Sequence, residues 1–189
     1  MLKVAITGNI SAGKSVAEKI LRDKGFYVFD TDIIAHDVLE KSEDVKKAFS
    51  GHDILTDSKI DRKKLAKVVF NNKDELNKLE NIIHPLVKQE LEKIFSRDYK
   101  IVFISVPQLF ESGFNILFDK IILVTSDEKL RLERLMRRNN LSEEEAQIRI
   151  KSQIPQEEKI SRSDFVVENN SSIDFLEEQI DKILNTLLN

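Results

Sequence analysis

"VAITGNISAGKSVAEKIL", residues 4–21, is the most informative stretch of the chain. An apolar run stops at Gly8, Gly13 follows, and Lys14, Ser15 and apolar residues at helical spacing come next. Gly8 to Ser15 fits G-x-x-x-x-G-K-[ST], a loop whose backbone amides wrap a phosphate while the lysine meets its charge. A chance match would mean only a turn before a helix and an exposed lysine. The context argues for the loop: a strand leads into it and an amphipathic helix leads out, as phosphate binding at a helix N-terminus requires.

Outward from the loop, "KVAIT" (3–7) reads as the first strand, Gly25 as the stop of the first helix, and "FYVFDTD" (26–32) as a second strand ending in two carboxylates. Buried strands flanking such a helix open a parallel sheet. Residues 32–95 carry little strand signal. Leu65, Val68 and Val69 line one helical face and Leu76, Leu79, Ile82 and Ile83 another, so this stretch reads as a helical insertion. Gly51 and "LTDSK" mark a turn in it, and Pro85 either kinks a long helix or begins a new one. "KIVFISVP" (100–107), "DKIILVT" (119–125) and "DFVVENN" (164–170) read as further strands. Charged helices lie between them, and "SEEE" from Ser142 has the form of a capping box. The expected fold class is α/β: a three-layer parallel sheet of about five strands with the phosphate loop after strand 1, plus a helical insertion.

The composition is that of a globular protein: 189 residues, 41% hydrophobic and 33% charged. A net charge of -3 argues against nucleic acid as a partner, although Arg134, Arg137 and Arg138 form a local basic cluster. The absence of cysteine excludes a disulfide scaffold, a thiolate metal site and a cysteine nucleophile, and is compatible with a cytoplasmic location. The first strand begins by residue 4, leaving no room for a signal peptide, and no apolar run approaches a membrane span.

The motif residues imply a chemistry. Backbone amides from 11 to 16 (Ser11, Ala12, Gly13, Lys14, Ser15, Val16) can form an anion nest at the start of the helix, with Gly8 and Gly13 permitting close approach. Lys14 can reach the β- and γ-phosphates of a nucleotide, and Ser15 can offer its hydroxyl to Mg²⁺. Asp30 and Asp32 have the period-2 spacing that places two side chains on one side of a strand end, at the sheet edge where the loop also emerges. One could orient and deprotonate an acceptor hydroxyl and the other order metal-bound water; a helix N-cap is the alternative for either. Arg134, Arg137 and Arg138 could neutralise a transferring phosphoryl or simply decorate an exposed helix. His84 could cap or kink a helix before Pro85, and His36 and His52 lack zinc spacing with it. Glu111 is either a surface residue or a binder of substrate or metal-bound water.

Taken in order, "TGNISAGKS" (7–15), "DTDIIA" (30–35), "IDRKKL" (60–65), "IIHP" (82–85), "VPQLFE" (106–111), "RLMRR" (134–138), Gln153 and "DFVVENN" (164–170) resemble the dephospho-coenzyme A kinase family across nearly the whole chain. The resemblance implies transfer of the γ-phosphoryl of ATP, with Mg²⁺, to the ribose 3'-hydroxyl of dephospho-coenzyme A. It implies Asp32 as the base, Asp30 near the metal, Arg138 as the lid arginine and Asn169 beside the adenine, with Arg134 on the nucleotide side. Asp32, Arg62, His84 and Glu111 would meet the substrate. Residues 1–32, 99–125 and 161–189 would form the nucleotide-binding core, 33–98 the substrate-binding insertion and 126–160 a lid. Departures from the family pattern are Ser11 for a glycine, Val16 for a threonine, Gln108 within the "VPQLFE" strand end, and Gln156 where an arginine is common, with Lys159 the nearest cation. The first three are expected to disturb little.

Two rivals share the loop. A deoxynucleoside kinase should carry a carboxylate–arginine motif after the third strand, where "PQLFESG" stands instead. A GTP-dependent switch or assembly protein should carry N-K-x-D and D-x-x-G, and "NNKDEL" (71–76) falls one residue short of the first. The oligomeric state is open, with a monomer favoured.

Overall fold

The computed structural model describes residues 1–70 and 72–188. Their contacts define two compact units, Met1–Asp30 with the chain from Asp98 onward, and Thr31–Arg97.

In the first unit, β1 (Leu2–Gly8), α1 (Lys14–Asp23) and β2 (Val28–Asp30) precede β5 (Ile101–Ser105) and β6 (Lys120–Thr125). Then come α6 (Glu128–Asn139), α7 (Glu143–Lys151), α8 (Gln156–Ser161), β7 (Phe165–Glu168) and α9 (Ile173–Leu188). The five strands form one parallel sheet in the order β2-β5-β1-β6-β7. All of β5 is buried, and β1 and β6 are buried past their first residues, which explains their unbroken apolar runs: both sheet faces are covered. Val4, Ile6, Ile101, Phe103, Ile122 and Val124 form the side that packs with α1 (Ala17, Ile20, Leu21) and α9 (Leu176, Ile180, Ile183, Leu184). Lys24 joins these two helices through Glu177 at 2.6 Å and Asp181 at 2.8 Å.

The second strand is shorter than "FYVFDTD" predicts. It ends at Asp30, opposite Ser105, the last residue of β5. Two residues further on, Pro107 has no N–H to extend the ladder. Thr31 instead begins α2 (Thr31–Lys41), so Asp32 sits in the first turn of a helix, where its charge suits the positive dipole end. The two carboxylates are therefore not alternate residues of one strand.

The second unit contains α2 (Thr31–Lys41), α3 (Glu43–Ala48), α4 (Arg62–Val69) and α5 (Lys73–Phe95). It also holds a small antiparallel pair absent from the sequence reading, β3 (Leu55–Thr56) and β4 (Lys59–Ile60). Asp57 (φ 49°) and Ser58 (φ 63°) make its two-residue turn, the left-handed pair that matches strand twist. Pro85 lies inside an unbroken α5, where it removes the helical donor to the carbonyl of Asn81. The capping box is present: Ser142 Oγ accepts from the Glu145 amide and Glu145 accepts from the Ser142 amide. Ahead of α7, Asn140 ends α6 in the left-handed conformation. Among the described residues no helix is long and apolar enough to cross a membrane.

Candidate active site

The phosphate loop leaves β1 at the carboxyl edge of the sheet. Gly8 pairs with Val124, and a Cβ there would stand 2.6 Å from the Val124 carbonyl oxygen, so a side chain would push β1 and β6 apart. Gly13 adopts φ 98°, and a Cβ on it would collide with the amide of Asn169. That amide donates to the Ala12 carbonyl at 2.9 Å, tying the loop to the segment after β7. Ser11, where the family pattern has glycine, also turns through the left-handed region at φ 61°, a conformation that costs a non-glycine residue about 1 kcal/mol. The departure at Ser11 therefore carries a backbone penalty. Within the loop the Ala12 amide donates to Asn9 and the Val16 amide to Gly13, at 3.0 and 2.9 Å. The first-turn amides of Lys14 and Ser15 belong to the set that no helix satisfies internally, groups of the kind that can hold an anion.

Lys14 points back along the sheet edge. Its ammonium lies 2.7 Å from Glu18 Oε1 and donates to Ser105 Oγ. Asp30 faces Ser105 in the strand register, so β2, β5 and α1 bring Asp30 and Lys14 to one edge. Among the described residues no three His, Asp or Glu side chains gather into a metal cage. A nucleotide-bound Mg²⁺ needs only one or two protein oxygens beside phosphates and waters. The exposed hydroxyl-bearing Ser15 and the carboxylate of Asp30 are donors of that kind.

Three expected substrate residues share one cavity of the second unit. Asp32, Arg62 and His84 line a space of about 310 Å³ together with His36 and Glu80. Local structure sets each of them: Asp32 opens α2, Arg62 opens α4, and His84 projects from α5 one residue before its proline. Asp61 caps α4, accepting from the Lys63 and Lys64 amides at 2.9 and 3.1 Å. Its carboxyl is held below the ordinary aspartate value, first by the Lys64 amide and next by the Thr56 hydroxyl.

Glu111 lies elsewhere, in the sheet unit, lining a cavity of about 230 Å³ with Ile10, Arg149 and Gln153. Its carboxylate is 2.8 Å from the ammonium of Lys159, a lysine with no exposed side-chain surface. Here the phosphate loop meets the segment joining α7 to α8: the Ile10 amide donates to Gln153 Oε1 at 2.7 Å and Asn9 Nδ2 donates to the Ile154 carbonyl at 2.9 Å. Arg134 and Asn169 come together, the guanidinium donating to the Asn169 carbonyl at 3.0 Å and to Ser126 Oγ at 3.1 Å. Arg138 is exposed at the end of α6 and bonds Asn139; Arg137 is exposed as well. Arg131 of the same helix is buried, and burial pulls its guanidinium down against the opposing pull of Glu128 and Glu157.

Sequence reasoning missed Glu18, Ser105 and Asn9 as parts of this site. Only Glu18 left a signal, its i+4 spacing from Lys14. The N-K-D run at 72–74 is a helix start, with the Asn72 side chain accepting from the Asp74 and Glu75 amides; Asn71 lies outside the described residues.

A model of the dephospho-CoA kinase family matches residues 2–174. The chain is 39% identical over 188 residues to the dephospho-CoA kinase of Fusobacterium nucleatum, covering 97% of each. Among solved structures, a Thermus thermophilus protein superposes with a TM-score of 0.86 at 35% identity, over 98% of this chain and 97% of that one. The dephospho-CoA kinase of Campylobacter jejuni superposes with a TM-score of 0.76 at 34% identity, over 98% and 96%. With a phosphate loop in its expected place and this similarity end to end, the chain belongs to the dephospho-CoA kinase family.

Proposed function

We propose a division of roles for the family's reaction, ATP-dependent phosphorylation of dephospho-CoA in the last step of coenzyme A formation. The observation that carries it is the loop between β1 and α1, which puts the first-turn amides of α1 and the Lys14 ammonium at one end of a parallel sheet. These groups bind the β- and γ-phosphates. Arg134 and Asn169, bonded to each other beside the loop, frame the base of the nucleotide. Ser15 and Asp30 would hold Mg²⁺, which when bound neutralises charge between the β- and γ-phosphates.

Asp32 orients the ribose 3'-hydroxyl and takes its proton as the bond from that oxygen to the γ-phosphorus forms and the bond to ADP breaks. The family resemblance supports this role, as does the cavity that Asp32 shares with Arg62 and His84, whose N–H groups can donate to substrate oxygens. Arg138 neutralises charge on the transferring phosphoryl. Helices α6 to α8 act as the lid; Leu135, Ala146 and Ile150 form a small core between α6 and α7 against which Ile10 of the phosphate loop packs, so these helices bear directly on the loop. A cytoplasmic location belongs to the same reading, and the cysteine-free composition agrees with it.

The test is to mix the protein with ATP, Mg²⁺ and dephospho-CoA and follow ADP and coenzyme A together. The expected result is one coenzyme A per ADP, with little ADP when a deoxynucleoside replaces the acceptor. Equal ADP release with deoxynucleosides would overturn the acceptor assignment.

A further inference from the structure

Glu18 is an unusual residue for the buried side of α1. Its neighbours Ala17, Ile20 and Leu21 belong to the apolar core, yet Glu18 keeps a carboxylate that is only 5% exposed. Such a charge is costly unless it is paired and hydrogen-bonded. Here each oxygen has partners. Oε1 takes the Lys14 ammonium at 2.7 Å and the hydroxyl of fully buried Ser105 at 2.7 Å, while Oε2 faces the Arg22 guanidinium at 3.4 Å. Lys14 in turn donates to Ser105 Oγ, so lysine, serine and carboxylate close a triangle across α1 and β5.

From this geometry we infer that Glu18 is a positioning residue for the phosphate-loop lysine. The inference rests on the reading of Lys14 as the group that meets the transferring phosphoryl. An ammonium has three N–H donors. Glu18 and Ser105 engage two of them from a rigid helix and a buried strand, leaving the third for a phosphate oxygen. A lysine on a four-carbon stem otherwise samples many positions, and fixing it in advance matters most where charge develops, in the transition state. Arg22 remains beside Oε2 and keeps the buried carboxylate compensated when the lysine shares its charge with phosphate.

The prediction is a split between rate and affinity. Glu18→Gln, which keeps the size and one acceptor, should lower kcat about tenfold to a hundredfold, with the KM for ATP changing less than about threefold. Ser105→Ala, a smaller change in the same triangle, should lower kcat in the same direction by less. The deciding measurement is a double-mutant cycle on single-turnover rates with Lys14→Ala. If Glu18 acts through the lysine, Glu18→Gln should slow the Lys14→Ala enzyme no further. An equal loss in both backgrounds would make Glu18 merely structural and overturn the inference, as would an unchanged kcat in both Glu18→Gln and Ser105→Ala. Where Glu18→Gln does not fold, the same cycle on Ser105→Ala decides, and independence of Lys14 there overturns the inference equally. Normal turnover by Lys14→Ala itself would instead remove the phosphate-loop reading beneath it.

Discussion

The ammonium of Lys159 lies 2.8 Å from Glu111 Oε1 with the lysine side chain wholly buried, whereas the glutamate side chain keeps 21% of its surface. The approach lies off hydrogen-bonding angles, so the contact is one of charge. Removing the acid leaves a sealed, unpaired cation; removing the lysine leaves a carboxylate that water can reach. Glu111→Gln should therefore destabilise the fold by about 3 kcal/mol or more, and Lys159→Met by clearly less. Denaturant titration of the two variants checks the order, and equal losses would refute it.

Gly13 and Asn169 constrain each other. Alanine at position 13 would meet both a left-handed backbone and the Asn169 amide. Gly13→Ala should be less stable than the parent and bind ATP poorly. Adding Asn169→Ala should recover part of the stability, since it removes the collision but leaves the backbone strain. Thermal unfolding of the parent, both single variants and the double variant measures the recovery; strict additivity would count against the clash.

Asp30 and Asp32 should separate by role. Asp32→Asn keeps the size but loses the charge, so kcat should fall roughly 10²-fold or more while ATP affinity changes little. Asp30→Asn should instead raise the Mg²⁺ concentration needed for half-maximal rate, as a carboxylate ordering metal-bound water would. Steady-state rates against Mg²⁺, with ATP binding measured separately, distinguish the two. Normal turnover by Asp32→Asn would move the base to another residue.

Asp164 gives the sheet an acid-sensitive tie. Partial burial pulls its carboxyl up, but the Lys120 ammonium at 2.9 Å and the Ile121 amide at 2.8 Å together outweigh that and hold it below the ordinary value. A lowered folded-state value means a contribution that is complete above the ordinary aspartate range, near 3.8, and lost as pH falls through the folded value. The stability gap between the parent and Asp164→Asn should thus be full at neutral pH and shrink below about pH 4. Denaturation series at about pH 7 and about pH 3 test it; a gap that widened in acid would reverse the sign.

The sequence alone determined the elements whose causes are local. The phosphate loop, the helix it opens, the box at Ser142 and Glu145, and the apolar runs of β1, β5 and β6 all depend on residues within a few positions of one another. Period and capping chemistry therefore report them directly. The family likeness extended that reach to Asp32, Arg62 and His84, though only the folded chain places them around one cavity. Where "FYVFDTD" stops being a strand was decided by tertiary structure, because a strand persists only while a neighbour offers it backbone partners, and β5 ends at Ser105. The same holds for Asn169 on Ala12, 157 residues apart, and Ser105 on Glu18, 87 apart. A hydrogen bond between such distant positions imposes no period and no spacing on the chain. It exists only once the sheet has brought its strands and helices side by side.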